Sequence, residues 1–204
     1  MTYSIVPYTI AYANELVSDP IAFERHADEM RLTYLKPRRR DWVHGILHAR
    51  VLDLRDWQDR RGSERMRKLN RLRQELCMDR ALCQVCGHPA TDPLTGRIPW
   101  LLTSTVLEQT GPDSGRTNAP PTCWTCIPKA LEQCPMLQLD YTLYTVAGRT
   151  SAGVLADLYE PLLGTQWPAL DKRNVFIAWD AIRDQARALA TCRVVELHGM
   201  KAVS

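Results

Sequence analysis

Two cysteine pairs, Cys83/Cys86 and Cys123/Cys126, are the residues of this chain whose spacing has a definite chemistry. Each pair is a Cys-x-x-Cys segment, which can turn both sulfur atoms towards one cation. Four thiolates in two such pairs are a common ligand set for a structural zinc ion, with each sulfur about 2.3 Å from the metal. We therefore predict that these four cysteines hold a structural Zn²⁺.

The other cysteines and the nearest histidine are weaker ligand candidates. Cys134 lies eight residues after Cys126, which is about 12 Å along a helix axis, too far to share the same ion. We interpret Cys134, Cys77 and Cys192 as cysteines that pack in or near the core. His88 follows the first pair closely, and we expect it beside the ligands or exposed, with direct ligation as the alternative.

The overall composition is that of an ordinary globular protein, with 45% hydrophobic and 24% charged residues in a chain of 204. No apolar stretch approaches the roughly 18 residues that span a bilayer, and the N-terminal residues lack the layout of a signal peptide. We expect a cytoplasmic protein with no membrane partner. In a reducing compartment, paired cysteines are more often metal ligands than disulfides.

Positive charge is concentrated ahead of the first cysteine pair. Residues 53–80 carry nine basic and six acidic side chains, an excess equal to the net charge of +3 for the whole chain. The apolar spacing of Ser63 to Met78 predicts an amphipathic helix with Ser63 as its cap. Its basic residues are predicted to contact nucleic acid phosphates, or else to form only a solvated face. The predicted contacts are Arg65, Arg67, Lys68 and Arg71.

The rest of the chain mixes helical and strand patterns. Besides residues 63–78, helices are predicted over residues 20–35 and from Asp171 to Leu189. Residues 42–54 fit a buried strand or a helix, and we favour the strand. Residues 103–122 are rich in proline and glycine and are predicted to form a loop. The other predicted strands cover residues 96–102, 137–146, 153–158 and 193–197.

This order predicts an α+β fold, a single domain with an embedded treble-clef-like zinc-binding lobe. Residues 1–80 form an N-terminal α/β part with the basic helix. Residues 81–136 form the zinc-binding lobe. Residues 137–204 supply C-terminal strands and a long helix that pack on the same core.

The segment Leu82-Cys-Gln-Val-Cys-Gly87, after a basic helix and before a second pair, resembles the zinc-stabilised frame of HNH endonucleases. Members of that family carry a catalytic histidine, usually in an Asp-His pair, between the cysteine pairs. Here the only histidine in that interval is His88, and no Asp-His pair occurs. The resemblance therefore implies the scaffold, in a degenerate form, and not nuclease activity.

A second resemblance is to a group of actinobacterial proteins with a four-cysteine zinc site. It implies a zinc scaffold and no particular activity. The segments that carry this resemblance are Ile5-Val-Pro-Tyr8, Gly45-Ile-Leu-His-Ala-Arg50, Cys83-Gln-Val-Cys-Gly-His-Pro-Ala90, Ile98-Pro-Trp-Leu-Leu102 and Pro120-Pro-Thr-Cys-Trp-Thr-Cys126 with Cys134-Pro135.

These features favour a zinc-stabilised binding or regulatory protein that contacts nucleic acid through its basic segment. One alternative is an enzyme of specialised metabolism with a structural zinc and a pocket near His44 and His48, to which Asp41 could contribute an acid or base. A further alternative is a protein–protein interaction module, which needs only an exposed apolar patch. No nucleotide-binding glycine motif or nucleophile elbow occurs, so the easily recognised nucleotide and hydrolase classes are not expected.

Overall fold

A computed structural model describes residues 5–106 and 115–203 of the chain. Within these ranges the strands are β1 (Ile10–Tyr12), β2 (Ile21–His26), β3 (Glu29–Tyr34), β4 (Trp42–Val43), β5 (Ile46–His48), β6 (Glu64–Leu69), β7 (Ile98–Leu102), β8 (Arg116–Thr117), β9 (Thr142–Val146), β10 (Gly148–Pro161), β11 (Pro168–Ala178), β12 (Ala188–His198) and β13 (Lys201–Ala202). The α-helices are α1 (Gln58–Arg61), α2 (Arg71–Arg80), α3 (Ile127–Gln133), α4 (Pro135–Leu139) and α5 (Ile182–Gln185), and short 3-10 turns cover Ala13–Glu15 and Arg39–Asp41.

The largest sheet is built around three long strands. Its order is β11-β10-β12-β5-β4, and β8 also pairs with β12. β10 runs antiparallel to β11 and β12, whereas β5 joins β12 in parallel. Alternate residues of β12, such as Ala188, Ala190 and Val194, are buried, as the two-residue period of a strand requires. The mixed α+β class predicted from the sequence is confirmed.

The described strands also form three smaller sheets. β13, β9 and β7 form one sheet, and β1 pairs with β6 and β2 with β3. The predicted strand over residues 96–102 is confirmed as β7, and those over 153–158 and 193–197 lie within β10 and β12. Of the predicted loop 103–122, residues 107–114 lie outside the described residues.

The predicted helix over residues 20–35 is wrong, because this segment forms the β2–β3 hairpin. Ile21 and Phe23 on one strand, and Leu32 and Tyr34 on the other, repeat every second residue. Phe23, Leu32 and Tyr34 pack in one buried cluster. The strand period therefore accounts for the apolar residues better than the helical period does.

The favoured strand over residues 42–54 is confirmed only in part. β4 and β5 form a hairpin joined by His44 and Gly45, both of which have positive φ values, +49° and +79°. Two residues with positive φ are typical of a tight hairpin turn whose twist matches the strands. The strand ends at His48, so the remainder of the predicted element is irregular.

The predicted basic helix over residues 63–78 is wrong in its first half. Residues Glu64–Leu69 form β6, which pairs with β1, and α2 begins only at Arg71. The side chain of Asn70, and not Ser63, caps this helix by accepting a hydrogen bond from the Arg73 backbone N–H at 3.4 Å. A buried cap and a distant strand partner thus decide where the helix starts.

The predicted long C-terminal helix is also wrong. Its first half lies in β11, which pairs with β10, and only Ile182–Gln185 is helical. The consecutive residues Val175, Phe176 and Ile177 are good strand formers. Their pairing partner, β10, cannot be identified from the short stretch of sequence around them. Residues Pro135–Leu139 are helical and not part of the strand predicted over 137–146, which begins at Thr142.

The main hydrophobic core includes the cysteine pairs. One cluster of buried side chains contains Met78 from α2, Cys83, Trp100 from β7, Cys126 and Val195 from β12. These residues come from all three predicted parts of the chain, residues 1–80, 81–136 and 137–204. The boundaries between these parts stay a prediction. Among the described residues, no helix has both the length and the apolar character needed to cross a membrane.

Candidate metal centre

The first cysteine pair lies in a tight backbone turn. The Cys83 N–H donates to the His88 carbonyl at 2.7 Å, and the Gly87 N–H donates back to the Cys83 carbonyl at 2.8 Å. Gly87 has a φ of +75°, and a Cβ atom at this position would lie 2.5 Å from the ring of Tyr8. Glycine is therefore required here both by the backbone conformation and by the close aromatic ring.

The second pair forms the start of a helix. The Cys126 N–H donates to the Cys123 carbonyl at 2.9 Å, and Cys126 is the N-cap residue of α3. Pro128 occupies the first turn of α3, where its missing N–H leaves no hydrogen bond unmade. The second pair therefore lies directly at the start of α3.

Hydrogen bonds between the segments hold the two pairs together. The backbone N–H of Gln84 donates to the Pro121 carbonyl at 2.8 Å. The Gln84 side-chain amide donates to the Thr122 hydroxyl at 3.0 Å. The indole N–H of Trp100 donates to the Ala119 carbonyl at 2.7 Å. Gln84 and Thr122 were not predicted as site residues, although their positions next to the cysteines were an available signal.

The four predicted cysteines converge. The sulfur atoms of Cys83, Cys86, Cys123 and Cys126 all lie within 4.8 Å of one another. Those of Cys86 and Cys123 are 3.9 Å apart, close to the separation of about 3.8 Å expected in a tetrahedron of sulfurs around zinc. None of the four forms a disulfide. Cys83 and Cys126 are buried while Cys86 is exposed, so the cluster lies at the edge of the core.

The protonation of the thiols differs across the cluster. Burial raises the pKa of Cys83, but hydrogen bonds from neighbouring backbone N–H groups, including that of Val85, outweigh it, and the net pKa is lowered. Burial raises the pKa of both Cys123 and Cys126, and the nearby Cys83 thiolate raises both further. Because four thiolates this close repel one another, a cation among them is what would allow all four to be deprotonated at neutral pH.

The other candidate ligands lie outside this group. Cys77 and Cys192 are buried, Cys134 is half-buried, and His88 is exposed. The group of side chains in the described ranges that could hold a metal comprises the four cysteines without His88 or Cys134. The interpretation of Cys134 as a cysteine separate from the cluster is therefore confirmed.

β7, which lies between the cysteine pairs in the chain, pairs with β9, and β8 pairs with β12. Hence the described residues between the pairs do not form a hairpin with each other. Along the chain, a Cys-x-x-Cys turn, a strand and a cysteine pair at the start of a helix follow one another in the treble-clef-like order. The treble-clef topology itself stays a prediction.

Three of the predicted nucleic-acid contacts lie on β6. Arg65, Arg67 and Lys68 are exposed. Ala11 of β1 pairs with Arg65, and the preceding residue, Ile10, pairs with Leu69, so the register shifts between these two pairs. Residues Met66–Lys68 lie within this irregular segment, which we call the β6 bulge.

The fourth predicted contact, Arg71, is engaged within the protein. Its Nη1 atom lies 2.7 Å from a carboxylate oxygen of Glu75 and 3.1 Å from Nδ1 of His48. Its side chain is only 13% exposed. Burial raises the pKa of Glu75, but its hydrogen bond with His48 and the Arg71 charge outweigh this and lower it. Arg71, unlike the other three residues, is therefore largely buried and already paired with a carboxylate.

The histidine pair predicted for an enzyme site is not brought together. His44 lies in the β4–β5 turn, with its ring centroid 4.7 Å from that of Trp179. His48 is buried below Arg71, with its side chain 2% exposed. Asp41 binds Arg50 through its carboxylate at 2.5 Å. These three residues thus have separate partners, and we do not propose an acid–base site there.

Together these contacts define a four-cysteine cluster at the edge of the core of an α+β protein, positioned so that it could hold a metal ion. Comparison of the chain with protein-family models, with curated proteins and with solved structures found no match. The resemblances to HNH endonucleases and to the actinobacterial group therefore rest on the sequence motifs alone.

Proposed function

We propose that this chain is a zinc-stabilised binding protein, whose four thiolates hold one structural Zn²⁺ and whose strand β6 contacts nucleic acid. The convergence of the four sulfurs within 4.8 Å carries the metal part of the proposal. Soft thiolate ligands in a tetrahedron favour zinc or iron–sulfur chemistry. A complete set of four protein ligands leaves no open position for substrate, so the ion is structural and not catalytic. A reducing, cytoplasmic location fits these free thiols.

Elemental analysis of the purified protein tests the metal. We expect a single zinc ion per chain, and we expect Cys83→Ser and Cys126→Ser to lose it and to melt at lower temperature, because metal binding in such sites contributes to folding. Cys134→Ser is the matched control, since Cys134 lies outside the sulfur cluster. This variant should retain zinc. Iron in place of zinc, or equal metal loss in the control, would contradict the assignment.

The nucleic-acid part is supported by the side chains that β6 leaves exposed. Arg65, Arg67 and Lys68 are exposed, and no ion-pair partner is found for them among the described residues. Trp57, just before α1, is 56% exposed, and the guanidinium of Arg60 lies 5.1 Å from its ring centroid. An exposed aromatic ring beside a cation is suited to stacking on a base while the cation binds phosphate. We leave Arg71 out of the contacts because Glu75 already pairs with it.

Fluorescence anisotropy with labelled DNA and RNA oligonucleotides tests this part. Binding through three cations should give a slope of roughly −2 to −3 in a plot of log affinity against log salt concentration. The double variant Arg65→Glu/Arg67→Glu should weaken binding at all salt concentrations. Arg25→Glu is the matched control, because Arg25 is an exposed arginine on a different hairpin, β2–β3. Binding that does not respond to salt, or that falls equally in the control, would end this proposal.

A further inference from the structure

A groove lies between α3 and the β6 bulge, beside the metal centre. Its volume is about 500 Å³, within the range of roughly 300–1,000 Å³ typical of small-molecule sites. Most of its walls are apolar. Its apolar lining includes Ile10, Met66, Val85, Ala130, Met136 and Leu137.

Two cations line this groove, and no carboxylate of the described residues does. Arg67 is supplied by the β6 bulge and Lys129 by the first turns of α3. Neither has an ion-pair partner in the described part of the chain. Two unpaired positive charges above apolar walls are complementary to an anionic group carried on an apolar body.

The cysteine pairs position both sides of the groove. Gln84 and Val85, which line one side, are the two residues between Cys83 and Cys86. α3, which forms the other side, starts directly after Cys126. Both cysteine pairs therefore lie next to residues that line the groove.

We propose that this groove binds a small amphipathic organic anion, a carboxylate or sulfonate on an aliphatic or aromatic body. Arg67 and Lys129 pair with the anionic group, and the apolar walls remove the body from water. The groove is too small for a folded partner, and its apolar walls do not suit the sugar–phosphate backbone. This inference goes beyond the nucleic-acid proposal and needs no nucleic acid for its test.

The test compares two fluorescent probes that share one ring system, the anionic anilinonaphthalene sulfonate and the neutral phenylnaphthylamine. We expect the sulfonate to saturate a single site on the wild-type protein and to be displaced by decanoate. The double variant Arg67→Gln/Lys129→Gln should bind the sulfonate at least roughly tenfold more weakly, while its affinity for the neutral probe changes by less than about twofold. Arg25→Gln, which removes an exposed arginine outside the groove, should change neither affinity.

Ala130→Phe, which places a ring into the groove, should abolish binding of both probes. Zinc content is measured for every variant, so that a disrupted metal centre is not mistaken for a lost anion contact. Unchanged sulfonate affinity in the double variant would overturn the proposal. Retention of both probes by Ala130→Phe, or failure of decanoate to compete, would overturn it as well, because the probe would then bind elsewhere or for another reason.

Discussion

Glu15→Gln removes the charge from a buried ion pair while nearly preserving its shape. The side chain of Glu15 is 0% exposed and that of Arg73 is 1% exposed. The guanidinium donates two parallel hydrogen bonds of 2.7 Å to the two carboxylate oxygens. The backbone N–H groups of Tyr12 and Leu54 donate to the same carboxylate, each at 2.8 Å. Glutamine would leave the buried Arg73 without its main counter-charge.

The magnitude follows from the pKa of Glu15. Burial raises this pKa, but the hydrogen bonds from Arg73 and the backbone outweigh burial and lower it from 4.5 to about 2. This difference corresponds to about 3 kcal/mol of stabilisation at neutral pH, consistent with the roughly 3–5 kcal/mol lost when a buried pair is broken. Because the folded-state pKa lies below the unfolded-state value, the stabilisation is complete above about pH 4.5 and is lost as the pH falls towards about 2.

Urea unfolding monitored by tryptophan fluorescence measures this effect. At about pH 7 we expect Glu15→Gln to lower the free energy of unfolding by about 3 kcal/mol, and at about pH 3 the difference from wild type should shrink by about 2 kcal/mol. The control is Glu24→Gln, since Glu24 is 40% exposed and pairs with Arg31 at 2.8 Å, and it should cost less than about 1 kcal/mol. Equal costs for the two variants, or a difference that does not depend on pH, would refute the reasoning.

Two further predictions concern the surroundings of the metal centre. Gly87→Ala should lower the free energy of unfolding by roughly 2–3 kcal/mol, because the new methyl group meets the Tyr8 ring at a positive φ. Gly96→Ala, which has a similar φ of +66° but open space around it, should cost only roughly 1 kcal/mol; equal losses in chemical denaturation would contradict the contact. Burial raises the pKa of Cys77 to about 12, so at about pH 8 its thiol stays protonated and iodoacetamide should modify it only after unfolding in urea. Modification of Cys77 in the folded protein, detected by peptide mass spectrometry, would show that the side chain is accessible.

The cysteine cluster was predictable because each Cys-x-x-Cys pair depends only on a short stretch of sequence. A Cys-x-x-Cys turn needs only a few adjacent residues, and Gly87 and Pro128 provide the conformations that follow each pair. The contacts that bring the halves together are long-range. The hydrogen bond from Gln84 to Pro121 links residues that no short sequence pattern connects.

The elements that were predicted wrongly are mostly strands taken for helices. Residues 20–35 and the first half of the predicted C-terminal helix contain apolar residues whose spacing fits either period over a short window. Their strand partners decide the outcome, and for β11 that partner is the long β10 strand. The prediction of the helix that contains α2 was partly correct, because a helix satisfies its own backbone hydrogen bonds locally, whereas a strand does not.

A run of basic residues in the sequence indicates a binding surface only where those residues have no acidic partner inside the protein. The basic run ahead of the cysteines includes Arg73, yet that side chain is buried against Glu15, 58 residues away in the chain. Arg71 is likewise neutralised by Glu75. Within the described part of the chain, the exposed basic residues of the run without an ion pair include Arg65, Arg67 and Lys68 of β6, and Arg67 also lines the apolar groove. Because one bulge supplies cations to both sites, a bound organic anion would compete for the charge that we assign to phosphate binding.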